Sequence, residues 1–144
     1  MLPSVDMMWD QILARLTTQP GLRFAALFGS EATGRAAAGS DLDLAVSFDA
    51  GCQPTFEAQV ALAAELSAIA CRDVDLVVVE QASTILRREI ARRGRTLWNR
   101  EPGDFIRFQA AAAFEYEDLA PVLETCRRAF LAALTSSGSP DVRR

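Results

Sequence analysis

The fold is decided by residues 22–48, which read LRFAALFGSEATGRAAAGSDLDLAVSF. Two short apolar runs, residues 22–28 and 41–48, flank a longer polar segment. Runs of this length bounded by turn-forming residues predict two buried strands. The first run ends at Gly29-Ser30, and both residue types favour a turn at the end of a strand. The segment between the runs could form a short helix over residues 30–38, loosened by Gly34.

Acidic side chains accompany the second and third predicted strands. Asp41 and Asp43 are two residues apart, so their side chains point to the same face of a strand. Two carboxylates held together repel each other, and burial would raise their pKa values. A divalent cation relieves that repulsion, and oxygen ligands suit magnesium. Asp75, at the start of the third strand, would add a further carboxylate.

Gly29 and Ser30 complete the pattern. A glycine allows backbone amides to approach a phosphate closely, and the serine adds a hydroxyl group. Acidic residues that hold metals, together with a turn that holds phosphates, are the parts that phosphoryl transfer requires. Taken singly, each motif is weak, because aspartate at a strand end is more often a turn former or a helix cap. The conjunction of Gly29, Ser30, Asp41 and Asp43 at one fixed spacing favours the functional interpretation.

The rest of the chain alternates between helical and extended patterns, which predicts an α/β (α+β) fold with three to four strands flanked by helices. The third strand, DVDLVVV, is so rich in valine that we expect it to be buried on both faces. Pro121 should kink or divide the last helix. The predicted helices are 4–19, 30–38, 54–70, 83–93 and 104–134; the third and fourth strands are 73–79 and 95–98.

Length and composition exclude several classes of protein. The 144 residues suffice for one domain, or for a domain with a long helical extension. The chain has 15 basic and 19 acidic residues, a net charge of −4, so we expect no direct binding to nucleic acid. It has no histidine, and all its cationic side chains are arginine, which excludes histidine catalysis, histidine metal sites and a P-loop lysine.

Cysteine spacing and hydropathy indicate the compartment. Cys52, Cys71 and Cys126 form no CxxC pair, so we expect neither a zinc site nor a disulfide framework, and we predict that all three are buried. No apolar run is long enough to cross a membrane, and the first residues do not resemble a signal peptide. We therefore predict a soluble, cytoplasmic protein that has no membrane partner.

Two further features have both a structural and a functional interpretation. Six arginines occur within residues 87–100, where a solvated helix face is the more frequent explanation and a grip on phosphate or on an acidic partner is the alternative. The apolar stripe between Phe105 and Leu134 should lie mostly in the core. It is nevertheless longer than a domain of this size needs, so part of it would dock a partner protein or a second copy.

The spacing of the two motifs resembles a known family. Gly29-Ser30, ten further residues and then Asp41-Leu42-Asp43 reproduce the GSx10DxD signature of the minimal nucleotidyltransferases, a branch of the DNA-polymerase-β-like superfamily. Asp75 falls at the position of the family's third carboxylate. The resemblance covers roughly residues 5–100. It implies a nucleotidyltransferase fold with a small mixed sheet.

This resemblance divides the chain into a nucleotidyltransferase domain, a C-terminal helical extension that packs on that domain or on a partner, and a polar tail. The corresponding ranges are 1–100, 101–134 and 135–144.

The resemblance also implies an activity. Family members use ATP and two magnesium ions to transfer AMP to a hydroxyl group, with release of pyrophosphate. In this chain Asp41, Asp43 and Asp75 would be the catalytic and metal-binding residues. Gly29 and Ser30, together with Asp41 and Asp43, would bind the nucleotide. Asp75 would orient or deprotonate the acceptor.

The family also implies a partner. Many bacterial members are antitoxins that modify a tyrosine of a cognate HEPN-type ribonuclease toxin. Two alternatives stay open from the sequence: a transferase that nucleotidylates a small molecule such as an aminoglycoside, and a non-catalytic antitoxin that neutralises its toxin by binding alone. The C-terminal helix would then mediate either a homo-oligomer or a hetero-oligomer.

Overall fold

The computed structural model describes residues 4–32, 34 and 40–137. The order of elements agrees with the prediction, and the α/β class is confirmed. Of the helix predicted at 30–38, a single turn at Gly29–Ala32 is seen, and residues 33 and 35–39 lie outside the described residues. The elements are α1 (Val5–Thr17), β1 (Leu22–Phe28), α2 (Gly29–Ala32), β2 (Leu42–Phe48), α3 (Phe56–Ala70), β3 (Val74–Val78), α4 (Thr84–Arg93), β4 (Arg95–Asn99) and α5 (Asp104–Ser137).

The four strands form one mixed sheet in the order β3-β2-β1-β4. Strand β1 is antiparallel to both of its neighbours, whereas β2 and β3 run parallel. The parallel pair is joined by α3, as a crossover between parallel strands requires. Consequently the starts of β2 and β3 and the end of β1 lie at the same edge of the sheet.

Helices cover both faces of the sheet. Helices α1 and α3 pack on one face through Ile12, Leu16, Leu62 and Leu66, against the side chains of Leu27, Leu42, Leu44 and Val46. Helices α4 and α5 cover the other face. Their core contains Phe24, Ala26, Ala45, Ile90, Phe105 and Phe108. Alternate residues of β2 therefore belong to different cores, as the two-residue period of a strand dictates.

Two expectations about burial are wrong. Strand β3 is only partly buried, with Asp75 exposed, because it lies at the edge of the sheet and not in the middle. Cys52, Cys71 and Cys126 are all exposed, not buried. The first two lie in surface turns beside helix and strand ends, and the third lies on the outer part of α5.

Helix α5 is continuous from Asp104 to Ser137 and includes Pro121, so the proline does not divide it. Proline removes one backbone donor, but this part of the helix is exposed and water can satisfy the freed carbonyl group. Phe105, Phe108 and Ala112 are buried, whereas every residue from 125 to 137 is exposed. The expectation that the stripe lies mostly in the core is therefore wrong for its second half. No helix among the described residues has the length and hydropathy needed to cross a membrane.

The arginines of residues 87–100 have several roles. Arg87 is half-buried, donates a 2.6 Å hydrogen bond to the carbonyl oxygen of Val79, and pairs with Glu115 of α5. Arg100 forms a two-pronged ion pair with Asp49 at 2.6 and 2.9 Å. These contacts join α4 to α5 and β4 to the turn after β2, so part of the cluster is structural and not simply a solvated face.

Asp104 anchors the start of α5. Its side chain is only 4% exposed; it accepts hydrogen bonds from the backbone N–H of Glu101 and from Arg107, and Arg23 lies 3.7 Å away. Burial alone would raise the pKa of this carboxyl. The two hydrogen bonds and the nearby arginines outweigh burial and hold its pKa below the ordinary value.

We predict that Asp104→Asn lowers the free energy of unfolding by roughly 1–3 kcal/mol, because the buried side chain loses the charge that strengthens its hydrogen bonds with the backbone N–H of Glu101 and with Arg107. Since the pKa of the folded carboxyl is lowered, its contribution is complete above the ordinary value of about 3.9 and is lost as the pH falls through the lowered value. Urea titrations at several pH values measure both effects. Asp118→Asn, on an exposed part of the same helix, is the control and should change stability little.

Candidate active site

The acidic residues meet at the edge where β2 and β3 start. Asp43 lies directly opposite Asp75 in the parallel register of these strands. Asp43 is also paired with Phe28, the last residue of β1, so Gly29 follows at the same level. Asp41 is exposed and immediately precedes β2. The structure thus brings together the strand acids and the Gly29 turn at one edge.

Gly29 is in close contact with Asp43. Its backbone has φ of +71°, a conformation that side chains disfavour, and a Cβ atom added there would lie 2.1 Å from Oδ2 of Asp43. Any other residue would displace this carboxylate. The glycine therefore serves the site in two ways, through the turn that it permits and through the space that it leaves for Asp43.

Burial and the neighbouring carboxylates both raise the pKa of Asp43. Burial raises the pKa of Asp43, and the negative charges of Asp75 and Asp41 raise it further. Arg72 opposes this rise, but the net shift is upward. A half-buried carboxylate with two negative neighbours favours a cation, because a cation would offset both effects.

The donor set is compatible with magnesium. Among the described residues, no three acidic or thiol side chains converge to form a complete metal cage. Magnesium does not require such a cage, since it is usually bound by one or two carboxylates together with water and substrate phosphates. Asp43 and Asp75, side by side on neighbouring strands, have the chemistry for that mode of binding.

Ser30 and Arg72 add polar groups near the acids. Ser30 lies in the single turn α2 directly after Gly29 and is half-buried. Arg72 was not singled out from the sequence, where its signal was its place three residues before Asp75. In the fold its Nε donates a 2.7 Å hydrogen bond to the carbonyl oxygen of Ser40, the residue before Asp41.

A polar cavity lies away from the acids. It has a volume of about 260 Å³ and is lined in part by Arg23, Ser47, Glu80 and Asp104. Ser47 is at the opposite end of β2 from Asp43, roughly 13 Å along the strand. Glu80 in this cavity accepts hydrogen bonds from the hydroxyl of Ser47 and from the backbone N–H of Phe48. This cavity is therefore a structural junction separate from the acidic edge.

We predict that Gly29→Ala abolishes the stabilisation of the protein by magnesium and ATP, because the new methyl group would displace Asp43. Gly51→Ala is the matched control, since Gly51 has φ of +83° and open space around its Cβ position. Both variants should lose roughly 1–2 kcal/mol of stability through backbone strain. Only the first should lose the ligand-dependent rise in melting temperature, measured by thermal unfolding. An equal rise in both variants would contradict the role assigned to Gly29.

Comparison with known proteins identifies relatives of this fold and site. A family model described as "Polymerase beta, Nucleotidyltransferase" matches residues 10–103. The chain is 30% identical over 133 residues to the protein adenylyltransferase MntA of Aphanizomenon flos-aquae. This alignment covers 86% of this chain and 88% of that relative. It is 34% identical over 87 residues to MntA of Shewanella oneidensis, which covers 59% of this chain and 60% of the relative.

Solved structures agree with the sequence relatives. A chain of a toxin–antitoxin structure with AMP-PNP has a TM-score of 0.74 and 28% identity, over 88% of this chain and 98% of that chain. A chain in the structure of a complex between the tri-AMPylated Shewanella oneidensis HEPN toxin and MNT antitoxin has a TM-score of 0.70 and 26% identity. The match covers 90% of this chain and 98% of that chain. The resemblance inferred from the GSx10DxD signature is confirmed: the chain belongs to the polymerase-beta family of nucleotidyltransferases.

Proposed function

We propose that this chain is a magnesium-dependent protein adenylyltransferase and antitoxin, which transfers AMP from ATP to a tyrosine hydroxyl of a cognate HEPN-type toxin. The observation that carries the proposal is the contact of Gly29 with Asp43, opposite Asp75, at one edge of the sheet. Relatives named as protein adenylyltransferases, and a related antitoxin in complex with an AMPylated HEPN toxin, support the choice of reaction and partner.

Gly29 and Ser30 would bind the β- and γ-phosphates of ATP. The positive φ of Gly29 turns the chain sharply at the end of β1, and backbone amides of such a turn can approach phosphate oxygens closely. The Ser30 hydroxyl can donate a hydrogen bond to the same group. Binding of the two outer phosphates by the turn would present the α-phosphorus to the acids on β2 and β3.

Asp41, Asp43 and Asp75 would hold magnesium together with the phosphates. The bound ions would neutralise charge on the triphosphate and on the leaving pyrophosphate. Burial, together with repulsion from Asp75 and Asp41, raises the pKa of Asp43 and so supports this assignment, because a bound cation would offset both effects. The proposed site holds two magnesium ions.

Asp75 is the acid best placed to meet an acceptor, because it is exposed on the edge strand. The tyrosine oxygen would form a bond to the α-phosphorus as the bond from that phosphorus to the bridging oxygen of the β-phosphate breaks. Pyrophosphate leaves, and the hydroxyl proton passes to the carboxylate of Asp75 or to water. Positioning and charge stabilisation, more than covalent chemistry, supply the rate in such transfers.

The outer half of α5 would contact the toxin. Phe130 is 63% exposed and Leu134 is 50% exposed, and these residues continue the face that buries Phe108 in the core. Residues 125–137 have no buried packing, and a helical segment of about this length is marginal in water without packing contacts. This favours a partner that covers the apolar face. The extension beyond residue 100 would thus divide into a first half that packs on the sheet and a second half that binds the partner.

We predict that Asp43→Asn lowers the rate of AMP transfer by about 100-fold or more, since metal-held charge stabilisation contributes several kcal/mol. The test incubates the chain and its neighbour-encoded partner with magnesium and ATP labelled at the α-phosphate. The variant should still bind the partner. Unchanged transfer by the variant would contradict the assignment of Asp43.

The same experiment separates the alternatives. Label on the partner protein supports the proposed reaction. Label that appears only on small hydroxyl compounds would support a small-molecule transferase. Tight binding and neutralisation without transfer would support a non-catalytic antitoxin, in which the three acids could be replaced without loss of neutralisation.

We predict that Phe130→Asp combined with Leu134→Asp weakens partner binding by about 100-fold, because two exposed apolar side chains would become charged at the interface. Ala132→Asp is the control, since it lies about 200° around the helix from Phe130. Both variants should keep the stabilisation by magnesium and ATP. Titration calorimetry measures partner binding, and sedimentation tests for self-association. Partner affinity unaffected by the double variant would contradict the surface.

A further inference from the structure

Arg72 joins the turn before β3 to the residue that precedes the acidic pair. Its Nε and Nη2 both donate hydrogen bonds to the carbonyl oxygen of Ser40, the Nε bond being 2.7 Å long, and Nη2 lies 3.1 Å from the hydroxyl oxygen of the same residue. Ser40 is joined by one peptide bond to Asp41. The guanidinium group therefore fixes the backbone from which the first acid projects.

A second contact reinforces the first. The backbone N–H of Leu42 donates a 2.8 Å hydrogen bond to the carbonyl oxygen of Asp73, the residue after Arg72. From there the parallel register continues, with Asp43 opposite Asp75. The segment 72–75 thus holds the segment 40–43 on both sides of Asp41, which is itself exposed and has no buried packing to fix it.

The local backbone explains why Arg72 points toward β2. Helix α3 ends at Ala70, and the next residue, Cys71, adopts a left-handed conformation with φ of 54°, which reverses the chain toward β3. The side chain of Arg72 is half-buried in the turn that results. Its charge is also close enough to Asp43 to act on that carboxylate.

We infer that Arg72 is a positioning residue for Asp41 and Asp43, acting through its forked hydrogen bonds to Ser40. This inference rests on the proposed function, because the geometry that it maintains is that of the AMP-transfer site. Lysine would keep the charge but lose the fork, since an ammonium group is a point charge and a guanidinium group is a planar set of donors.

The test compares wild type, Arg72→Lys, Arg72→Ala and the control Arg15→Gln in the labelled-ATP assay. Arg15 forms an ion pair with Glu65 and donates a hydrogen bond to the hydroxyl of Thr18, on the face of the sheet covered by α1 and α3. Its replacement therefore removes comparable side-chain contacts and leaves the contacts of Ser40 unchanged. A misplaced reacting group costs about 100-fold in rate. We expect a loss of that order in kcat for both Arg72 variants, with a smaller change in the KM for ATP, and little loss for Arg15→Gln.

Two further readouts separate positioning from a general loss of structure. Guanidinium ion added at millimolar concentrations should restore part of the kcat of Arg72→Ala, whereas methylammonium should not. Hydrogen–deuterium exchange, which needs no activity, should become faster in a peptide covering residues 40–48 in both Arg72 variants, while a peptide covering 22–28 should be unchanged.

Each other outcome overturns the inference or the function beneath it. Wild-type kcat in Arg72→Lys would show that charge alone suffices. Exchange at 40–48 equal to wild type, or a loss of kcat no larger than that of Arg15→Gln, would show that Arg72 does not position the acids. No transfer by the wild type would contradict the proposed function, and the exchange measurement would then still decide whether Arg72 holds the start of β2.

Discussion

The parallel pairing of β2 with β3 is the constraint on which the rest of the structure depends. Because this register places Asp43 opposite Asp75, two carboxylates are held side by side at a sheet edge, where they repel each other. The antiparallel pairing of β1 brings Gly29 against the same carboxylate. The helices on both faces keep this arrangement fixed, since the alternating side chains of β2 are packed into two separate cores. The fold therefore holds a cluster of negative charge that a divalent cation can neutralise.

The two halves of helix α5 have different surroundings. The first half of α5 completes the core over the sheet through Phe105, Phe108 and Ala112. Its second half continues the same apolar face into solvent, as no other described part of the chain covers it. An adenylyltransferase that modifies a protein must hold a large acceptor, and the proposed docking surface on the outer half of α5 would provide contact area without changing the geometry of the acids. This division would allow partner choice and chemistry to be altered independently.

Much of the fold could be predicted from the sequence, because apolar runs and helical periodicity are local signals. The strand bounds agree with the prediction to within one residue. The side chains of Ser4, Thr55 and Ser83 cap the starts of α1, α3 and α4, and Gly94 follows the end of α4. The burial of β3 was predicted wrongly, since a run of valines does not indicate whether a strand is central or at an edge. The burial of the outer half of α5 was predicted wrongly for a related reason. Helical periodicity indicates which face is apolar, but it does not indicate what covers that face. At the site, spacing indicated Gly29 and the acids, whereas Arg72 emerged only once the turn after α3 and the start of β2 were adjacent in space.

The central claim is that the acidic edge of the sheet is the site where metal and nucleotide bind. A crystal structure of the chain with Mn²⁺ and a non-hydrolysable ATP analogue, with anomalous data collected for manganese, tests it most directly. We expect an anomalous peak between Asp43 and Asp75, with the outer phosphates against the Gly29-Ser30 turn. Manganese and nucleotide in the cavity that Arg23, Ser47, Glu80 and Asp104 line in part, or ordered nucleotide with no metal at the acids, would contradict the account.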